Sequence, residues 1–289
     1  MLVAKMVDTL ESSLEELGQR VNSRGPKIDV SQEEIDDLKS DIVVIMPAGG
    51  KGTRIRAETQ SENINKVMIP IDDTESMIER AIRVYRESGI DKFVILTGFL
   101  ADVVEDFLGD GSKWSVSIKY SQDPEGRKVG NAGAIRHALD NGTIDDSLVS
   151  IVHNPDDVIV RTKRPFPDIL VEGHIRARKA GCIAAMVVVP STPYAYSGML
   201  VRDGKINSIT KYPLIPLPTH TGLSTFDPPI YDYFRRMVDL TVESSFESVI
   251  CPTLAEKGIL YSTELPSECW VPVNDLKGLE AVRKALNSD

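Results

Sequence analysis

A glycine-rich loop that carries several cations follows the first long apolar run of the chain. The loop is Pro-Ala-Gly-Gly-Lys-Gly-Thr-Arg-Ile-Arg at positions 47–56, and Lys66 follows further along the chain. Glycine lets backbone N–H groups turn towards a bound anion, and the loop cations attract phosphate. The loop therefore predicts a phosphate site; the alternative interpretation is a tight strand-to-helix turn with incidental charges.

Two common nucleotide-binding motifs are excluded in this loop. A Walker A loop needs Ser or Thr directly after its lysine, but Gly52 follows Lys51. A dinucleotide fingerprint that begins at Gly50 needs glycine at the position of Ile55. A phosphate site here must therefore be of another kind.

Alternating strands and helices position this loop from residue 42 onwards. The predicted strands are Ile42–Met46, Phe93–Thr97, Val116–Tyr120, Leu148–His153 and Ile183–Val189. The predicted helices are Ser76–Ser88, Ala101–Leu108, Ala132–Asp140 and Asp168–Lys179. This alternation indicates an α/β fold with a doubly wound, mostly parallel, Rossmann-like sheet. Ligands bind at the carboxyl ends of the strands in such sheets, so the loops after the strands should carry the chemistry.

The alternation of strands and helices breaks down near both ends of the chain. A hairpin through Asp203-Gly204 is predicted between Tyr196–Val201 and Ile206–Thr210, and late helices are predicted at Phe246–Lys257 and Leu276–Leu286. At the start, an apolar seam with helical spacing comprises Val3, Met6, Leu10, Leu14, Leu17 and Val21. We therefore expect a helical extension over residues 1–40 and one domain over 41–289. The seam fits packing on that domain, or a homo-oligomer formed through the N-terminal helix.

Composition excludes several classes of protein. The chain has 33 Lys and Arg against 43 Asp and Glu, a net charge of −10 and a pI near 5.0, which disfavours a nucleic-acid partner. The longest apolar run, around Ala180 to Pro190, is well short of the roughly 18 residues of a membrane span. Three scattered cysteines and a poor N-terminal secretion signal lead us to expect a reduced, cytoplasmic protein.

The glycine loop, followed by Asn65-Lys66-Val67-Met68, resembles the signature of the sugar nucleotidyltransferases, also called nucleotide-sugar pyrophosphorylases. The resemblance implies a nucleoside triphosphate and a sugar 1-phosphate as partners and Mg²⁺ as cofactor. It implies catalytic roles for Arg54, Lys66 and Asp156. It implies that the nucleotide is bound by Ala48, Gly49, Gly50, Gly52, Thr53, Gln122, Gly130 and Asn131.

Later segments of the chain resemble the same family in the same order. Asp156, in Asn-Pro-Asp-Asp at 154–157, matches the family's magnesium-binding aspartate. Asn274, after Val273, resembles a second metal ligand used in one branch of the family, although Asn274-Asp275 could merely cap the last helix. Sugar binding is implied for Gly198, Thr221 and Gly222.

Four positions depart from the family pattern. Asn65 replaces the proline before the lysine, and Pro155 replaces a glycine of the metal-binding segment. Pro272 stands where a second metal-binding aspartate is common, and Lys211 stands where a sugar-binding glutamate is common. The resemblance implies transfer of a nucleoside monophosphate from a triphosphate to a sugar 1-phosphate, with release of pyrophosphate. The departures leave two alternatives: a nucleotide-binding regulatory subunit with impaired catalysis, or a transferase that acts on a phosphorylated acceptor other than a sugar.

Overall fold

The structure is a computed structural model that describes residues 9–23, 25–52, 55, 64–124 and 127–287. Its helices are α1 (Leu10–Val21), α2 (Gln32–Lys39), α3 (Met77–Glu87), α4 (Ala101–Leu108), α5 (Gly130–Asp140), α6 (Phe166–Lys179), α7 (Tyr231–Met237), α8 (Phe246–Val249), α9 (Cys251–Glu256) and α10 (Leu276–Leu286). No helix in these ranges is long and apolar enough to cross a membrane.

Strands β1 to β13 follow the order of the chain. They are β1 (Ile42–Pro47), β2 (Lys92–Thr97), β3 (Ser117–Gln122), β4 (Val149–His153), β5 (Asp157–Ile159), β6 (Ala184–Val189), β7 (Thr192–Pro193), β8 (Ser197–Arg202), β9 (Lys205–Lys211), β10 (Leu214–Ile215), β11 (Thr219–Phe226), β12 (Leu260–Glu264) and β13 (Trp270–Pro272). The five strands predicted for the sheet are confirmed as β1, β2, β3, β4 and β6, with ends shifted by one or two residues.

A seven-stranded sheet in the order β12-β6-β11-β4-β1-β2-β3 forms the centre of the molecule. Only β11 runs antiparallel to its neighbours β4 and β6, so the predicted mostly parallel, Rossmann-like architecture is confirmed. Strand β1 is a run of apolar, mainly β-branched residues, which suits a strand covered on both faces. The predictions missed β11 because its Thr-His-Thr-Gly start lacks an alternating apolar pattern.

Helices cover both faces of this sheet and create two cores. One core joins the sheet to α2, α3, α4 and α6, and its members include Ile35, Tyr85 and Leu170. The other joins the sheet to α5, α7, α8 and α9, and its members include Ile135 and Phe234. Since the helices fill both faces, the carboxyl edge of the sheet is where the loops can form a site.

The single late helix predicted over Phe246–Lys257 is wrong. The segment forms α8 and α9, which meet at Ile250. Pro252 lies in the first turn of α9, where a proline is tolerated, but it has no N–H to continue the hydrogen bonding of α8. The helix predicted over Leu276–Leu286 is confirmed as α10.

The first described helices pack against the body of the chain in different ways. In α1, the Leu10 N–H donates to Ser208 Oγ at 3.1 Å, which places the helix on the β8–β9 hairpin. Helix α2 instead joins the main core, and its Lys39 pairs with Asp168 of α6 at 2.8 Å. Val3 and Met6 of the predicted seam lie outside the described residues.

The predicted hairpin is confirmed, with positive φ at Asp203 and Gly204 as a tight two-residue turn requires. One face lies against α1. The opposite face presents two apolar cross-strand pairs, Met199 with Ile209 and Val201 with Ile206, and all four side chains are exposed.

Candidate active site

The start of the glycine loop is held against the end of the neighbouring strand. Ala48 N–H donates to Leu96 O at 2.8 Å, and Phe99 N–H donates to Gly49 O at 3.1 Å. Gly52 has φ +57°, and a Cβ there would lie 2.9 Å from Lys66 Cβ. Glycine is therefore required where the loop passes the stem of Lys66. The predicted site residues Thr53 and Arg54 lie outside the described residues.

Asn65, which replaces the proline of the family pattern, ties the loops together. Its side chain is buried, and its Nδ2 group donates to Ala48 O and Phe99 O, both at 2.8 Å. Its Oδ1 accepts the Val67 N–H at 3.2 Å, which caps the short 3-10 turn of 66–68. The amide thus joins the loops after β1 and β2 to the segment that carries Lys66. Proline could make none of these side-chain bonds.

Lys66 and Asp156 meet at this edge of the sheet. Lys66 Nζ donates to Asp156 Oδ2 at 2.5 Å, and the two side chains are 15% and 26% exposed. Ninety positions separate the two residues, and the fold brings together two side chains for which the family resemblance implies catalytic roles. A partly exposed carboxylate beside an ammonium group offers one attachment point for a cation and one for a phosphate.

Asp157 locks the turn that carries Asp156. Its Oδ1 accepts from Trp270 Nε1 at 2.9 Å, and its Oδ2 accepts from Asn154 Nδ2 at 3.2 Å. Burial, followed by the charge of Asp156, raises the pKa of Asp157 well above its usual range. Because both of its oxygens are engaged, Asp157 is a positioning group, whereas Asp156 keeps an oxygen for other partners.

Strand β11 closes this turn through Gly222. Gly222 has φ +77°, and a Cβ there would lie 1.9 Å from Asp157 Oδ2 and 2.7 Å from Asn154 Nδ2. The neighbouring Thr221 is buried, and its Oγ1 donates to Val187 O at 3.0 Å. The two predicted sugar-binding residues therefore lie beside Asp157 or within the sheet, and each has a packing role besides any contact with substrate.

The segment after β13 runs along the same turn. Val273 N–H donates to Asp156 O at 2.7 Å, so the next residue, the exposed Asn274, begins beside the proposed metal ligand. Asp275 is the N-cap of α10 and accepts from Gly278 N–H at 3.0 Å. Capping is thus the role of Asp275. Pro272 pairs with Asp157 across β13 and β5.

A cavity of about 160 Å³ lies on the other side of the glycine loop. It is lined by Pro47, Gly49, Gly50, Leu96, Asp123, Lys128, Gly130, Asn131 and Ala134. Four residues predicted to bind nucleotide thus share one concave surface. Gln122 is exposed and is not among the lining residues, whereas the unpredicted Asp123 is.

The helix start beside this cavity is fixed by a close backbone approach. Gly130 has φ +73°, and a Cβ there would lie 2.2 Å from Ser244 O. Asn131 Oδ1 accepts the Phe246 N–H at 3.0 Å, and its Nδ2 donates to Glu247 at 3.1 Å. The Asn131 amide therefore ties α5 to α8. The backbone of Asn131 is the part of the residue that remains for binding a nucleotide.

The remaining predicted sugar-binding residue lies in the hairpin. A Cβ at Gly198 would meet Leu10 Cδ2 and Pro213 Cγ, both at 2.8 Å. Its described contacts are thus with α1 and with the segment after β9. Lys211, at the end of β9, lies with its ammonium 5.0 Å from the centroid of the Tyr212 ring.

The family model for nucleotidyl transferases matches residues 42–288. The chain belongs to this family. The resemblance drawn from the glycine loop is thereby confirmed, and the match begins at the first residue of β1.

Individual relatives carry related names. A UTP–glucose-1-phosphate uridylyltransferase of Synechocystis sp. is 27% identical over an alignment of 261 positions, which covers 84% of this chain and 63% of that protein. The bifunctional protein GlmU of Staphylococcus carnosus is 26% identical over 169 residues, or 58% of this chain and 33% of that protein. This chain thus spans at most about two thirds of the length of these relatives.

A solved structure supports the fold. A Bacillus anthracis protein assigned as a glucose-1-phosphate thymidylyltransferase, in complex with sucrose, matches with a TM-score of 0.64 at 20% identity. The match covers 84% of this chain and 94% of that chain. The nucleotidyl transferase architecture therefore extends over most of the molecule.

Three residues of the site were missed from the sequence. Asp157 stands next to Asp156, but adjacency alone does not tell a metal ligand from a positioning group. Trp270 is distant in sequence, and only the pairing of β13 with β5 brings its ring N–H to Asp157. Asp123 directly follows β3, and the alternation of side chains along a strand is the signal that separates it from Gln122.

Proposed function

We propose that this chain transfers a nucleoside monophosphate from a nucleoside triphosphate to a sugar 1-phosphate. The observation that carries the proposal is the meeting of Lys66 and Asp156 at 2.5 Å beside the glycine loop. The family membership supplies the reaction class, and the names of the relatives supply the sugar 1-phosphate as the acceptor.

The reaction needs positioning and charge neutralisation rather than a covalent intermediate on the protein. An oxygen of the sugar 1-phosphate attacks the α-phosphorus of the triphosphate. The bond from that phosphorus to the bridging oxygen of the β-phosphate breaks, and pyrophosphate leaves with the electron pair. The glycine-loop N–H groups and Lys66 offset the negative charge that gathers on the phosphate oxygens.

The residues beside Lys66 fit a magnesium ion by their donor chemistry. Asp156 supplies a partly exposed carboxylate, and the amide oxygen of Asn274 follows directly after a residue bonded to Asp156. Mg²⁺ prefers such oxygen donors and commonly takes one or two carboxylates, with phosphates and waters as its other ligands. When bound, the ion polarises the phosphate under attack. Within the described ranges, no group of three or more His, Cys, Asp or Glu side chains is placed to hold a metal.

The Lys66–Asp156 ion pair must open during the cycle. Without ligand, each charge is balanced by the other. A triphosphate offers Lys66 stronger anionic partners, which releases the Asp156 carboxylate for a cation. Since Asp157, Asn154 and Trp270 hold the turn, Asp156 stays in place when its partner leaves.

The test is pyrophosphate release with magnesium, a panel of triphosphates and a panel of sugar 1-phosphates. Lys66→Ala should lower the rate at least about 100-fold, as does removal of one transition-state donor in other enzymes. The matched control is Lys92→Ala, because Lys92 lies at the start of β2, far from the carboxyl edge of the sheet. Arg54→Ala is expected to behave as Lys66→Ala does.

The outcomes separate the remaining alternatives. If folded protein binds triphosphates but no acceptor pair turns over, the chain is a regulatory subunit, as Pro272 would allow. If turnover occurs only with a phosphorylated alcohol, the acceptor is not a sugar. Equal rates for the Lys66 and Lys92 variants would refute the role assigned to Lys66.

A further inference from the structure

The end of strand β3 points two neighbouring side chains in opposite directions. Gln122, the last residue of the strand, is exposed. Asp123 turns into the cavity beside the glycine loop, where its Oδ2 would lie 3.0 Å from a Cβ at Gly98 and 3.5 Å from one at Gly49. A Cβ at Gly98 would crowd the carboxyl group, whereas one at Gly49 would lie at ordinary van der Waals distance from it.

The carboxyl group of Asp123 stands out among the polar groups of this cavity. Across the described ranges of the chain, no side-chain or backbone donor forms a hydrogen bond with its oxygens. Asn131 uses its amide on Phe246 and Glu247, and the Lys128 ammonium pairs with Glu243 at 2.6 Å. Burial raises the pKa of Asp123 to about 6, against the opposing charges of His137 and Lys128. The carboxyl group is thus half-buried and has acceptor capacity that the protein does not use.

A carboxylate distinguishes the nucleobases by the donors they present. It accepts hydrogen bonds and donates none, and its two oxygens suit a pair of adjacent donors. The Watson–Crick edge of guanine carries such a pair, the ring N1–H and the exocyclic amino group. Uracil and thymine flank their single N–H with carbonyl oxygens, and adenine and cytosine set an unprotonated ring nitrogen beside their amino group. Each of those four bases would turn an acceptor towards the carboxylate.

We propose that Asp123 reads the nucleobase and selects guanine, so that the nucleotide substrate is GTP. This inference rests on the proposed function and adds the identity of the base. The relatives named for UTP or for thymidylyl transfer act on bases without the adjacent donor pair. Asp123 therefore gives this chain a specificity that their names do not suggest.

The expected selectivity follows from known base recognition. A bidentate side-chain contact contributes roughly a 5- to 150-fold preference over the wrong base. The carboxylate also repels the acceptor atoms of the other bases, which increases the preference for guanine. We expect GTP to bind at least about tenfold more tightly than UTP, dTTP, ATP or CTP.

The experiment is calorimetric titration of the full chain with these five triphosphates and with ITP, in the presence of Mg²⁺. ITP keeps the N1–H of guanine but lacks the amino group, so it should bind about tenfold more weakly than GTP. The variant Asp123→Asn should lose the preference for GTP and gain affinity for XTP. In xanthine a carbonyl replaces the amino group and can accept from the new amide. The matched control is Asp102→Asn, on the exposed surface of α4.

The possible results keep this inference separate from the proposed function. The role of Asp123 is supported if the native chain binds GTP most tightly and ITP more weakly, and if Asp123→Asn gains affinity for XTP. UTP or dTTP bound as tightly as GTP would overturn that role and leave nucleotidyl transfer standing. If folded protein binds no triphosphate, the proposed function fails as well. If Asp123→Asn does not fold, the affinities of the native chain for GTP and ITP decide whether Asp123 reads the base.

Discussion

Gly222→Ala tests whether the turn that carries Asp156 is held as the structure shows. A methyl group at this position would lie 1.9 Å from Asp157 Oδ2, so the carboxyl group must move. Its movement breaks the hydrogen bonds from Trp270 and from Asn154. Each lost bond costs about 1 kcal/mol or more, because the groups left behind are partly buried.

The positive φ of +77° adds a second cost, because an L-residue with a side chain is strained there by about 1–2 kcal/mol. The combined effect is about 3–5 kcal/mol in the free energy of unfolding. For a chain of this size, that corresponds to a fall of about 5–8 °C in Tm.

The matched control is Gly142→Ala. Gly142 has φ +76° but nothing within 4 Å of its Cβ position, so it shares the strain without the clash. Its expected cost is about 1–2 kcal/mol, or about 2–3 °C in Tm. Both variants are compared by thermal unfolding and by pyrophosphate release. Equal shifts in Tm would refute the close packing of Gly222 on Asp157.

Three further predictions follow from single residues. Asn65→Ala removes the buried bonds to Ala48 O and Phe99 O, and should lower the free energy of unfolding by about 2–4 kcal/mol in denaturant titration. The affinity for GTP should fall about tenfold between pH 7.5 and pH 5, because Asp123, with a pKa of about 6 and facing Lys128 and His137, becomes protonated. Burial lowers the pKa of His153 to about 4. The free energy of unfolding should therefore fall by about 3 kcal/mol as the pH falls from about 6.5 to 4, because only the unfolded chain takes up the proton.

Each of these has a control. Asn141→Ala serves for Asn65. The Asn141 amide bonds Ser121 Oγ and the Thr143 N–H, but the residue is exposed, so water can replace these bonds and the substitution should cost less. The affinity of Asp123→Asn for GTP should not change with pH. His153→Leu should flatten the pH dependence of stability; an unchanged slope would contradict the burial of the neutral imidazole.

The sequence predicted the parts of the fold that depend on local patterns. The boundaries of α10 and the turn at Asp203-Gly204 follow from helical spacing and from turn chemistry. Strand β11 was missed because its position comes from pairing with β4 and β6, not from its own pattern. The break between α8 and α9 was missed although Pro252 signals it.

The site shows the same division. The glycine loop is recognisable in the sequence, because its glycines and cations suggest phosphate binding. The roles of Lys66 and Asp156 come from the resemblance to the sugar nucleotidyltransferases. The contacts that hold these residues are not recognisable in the sequence. Trp270 reaches Asp157 across 113 positions, and no local signal points to that bond. In the sequence, Asn65 is only a residue that replaces the family's proline. The structure shows that its amide bonds Ala48 O and Phe99 O and so joins two loops.

The most direct test of nucleotidyl transfer follows the α-phosphate itself. The full chain is incubated with a triphosphate labelled at the α-phosphorus, magnesium and sugar 1-phosphates, and the products are treated with phosphatase. The account predicts a labelled, phosphatase-resistant product that requires the acceptor and is lost in Asp156→Asn. Label released only as free phosphate, or an Asp156→Asn variant as active as the native chain, would contradict it.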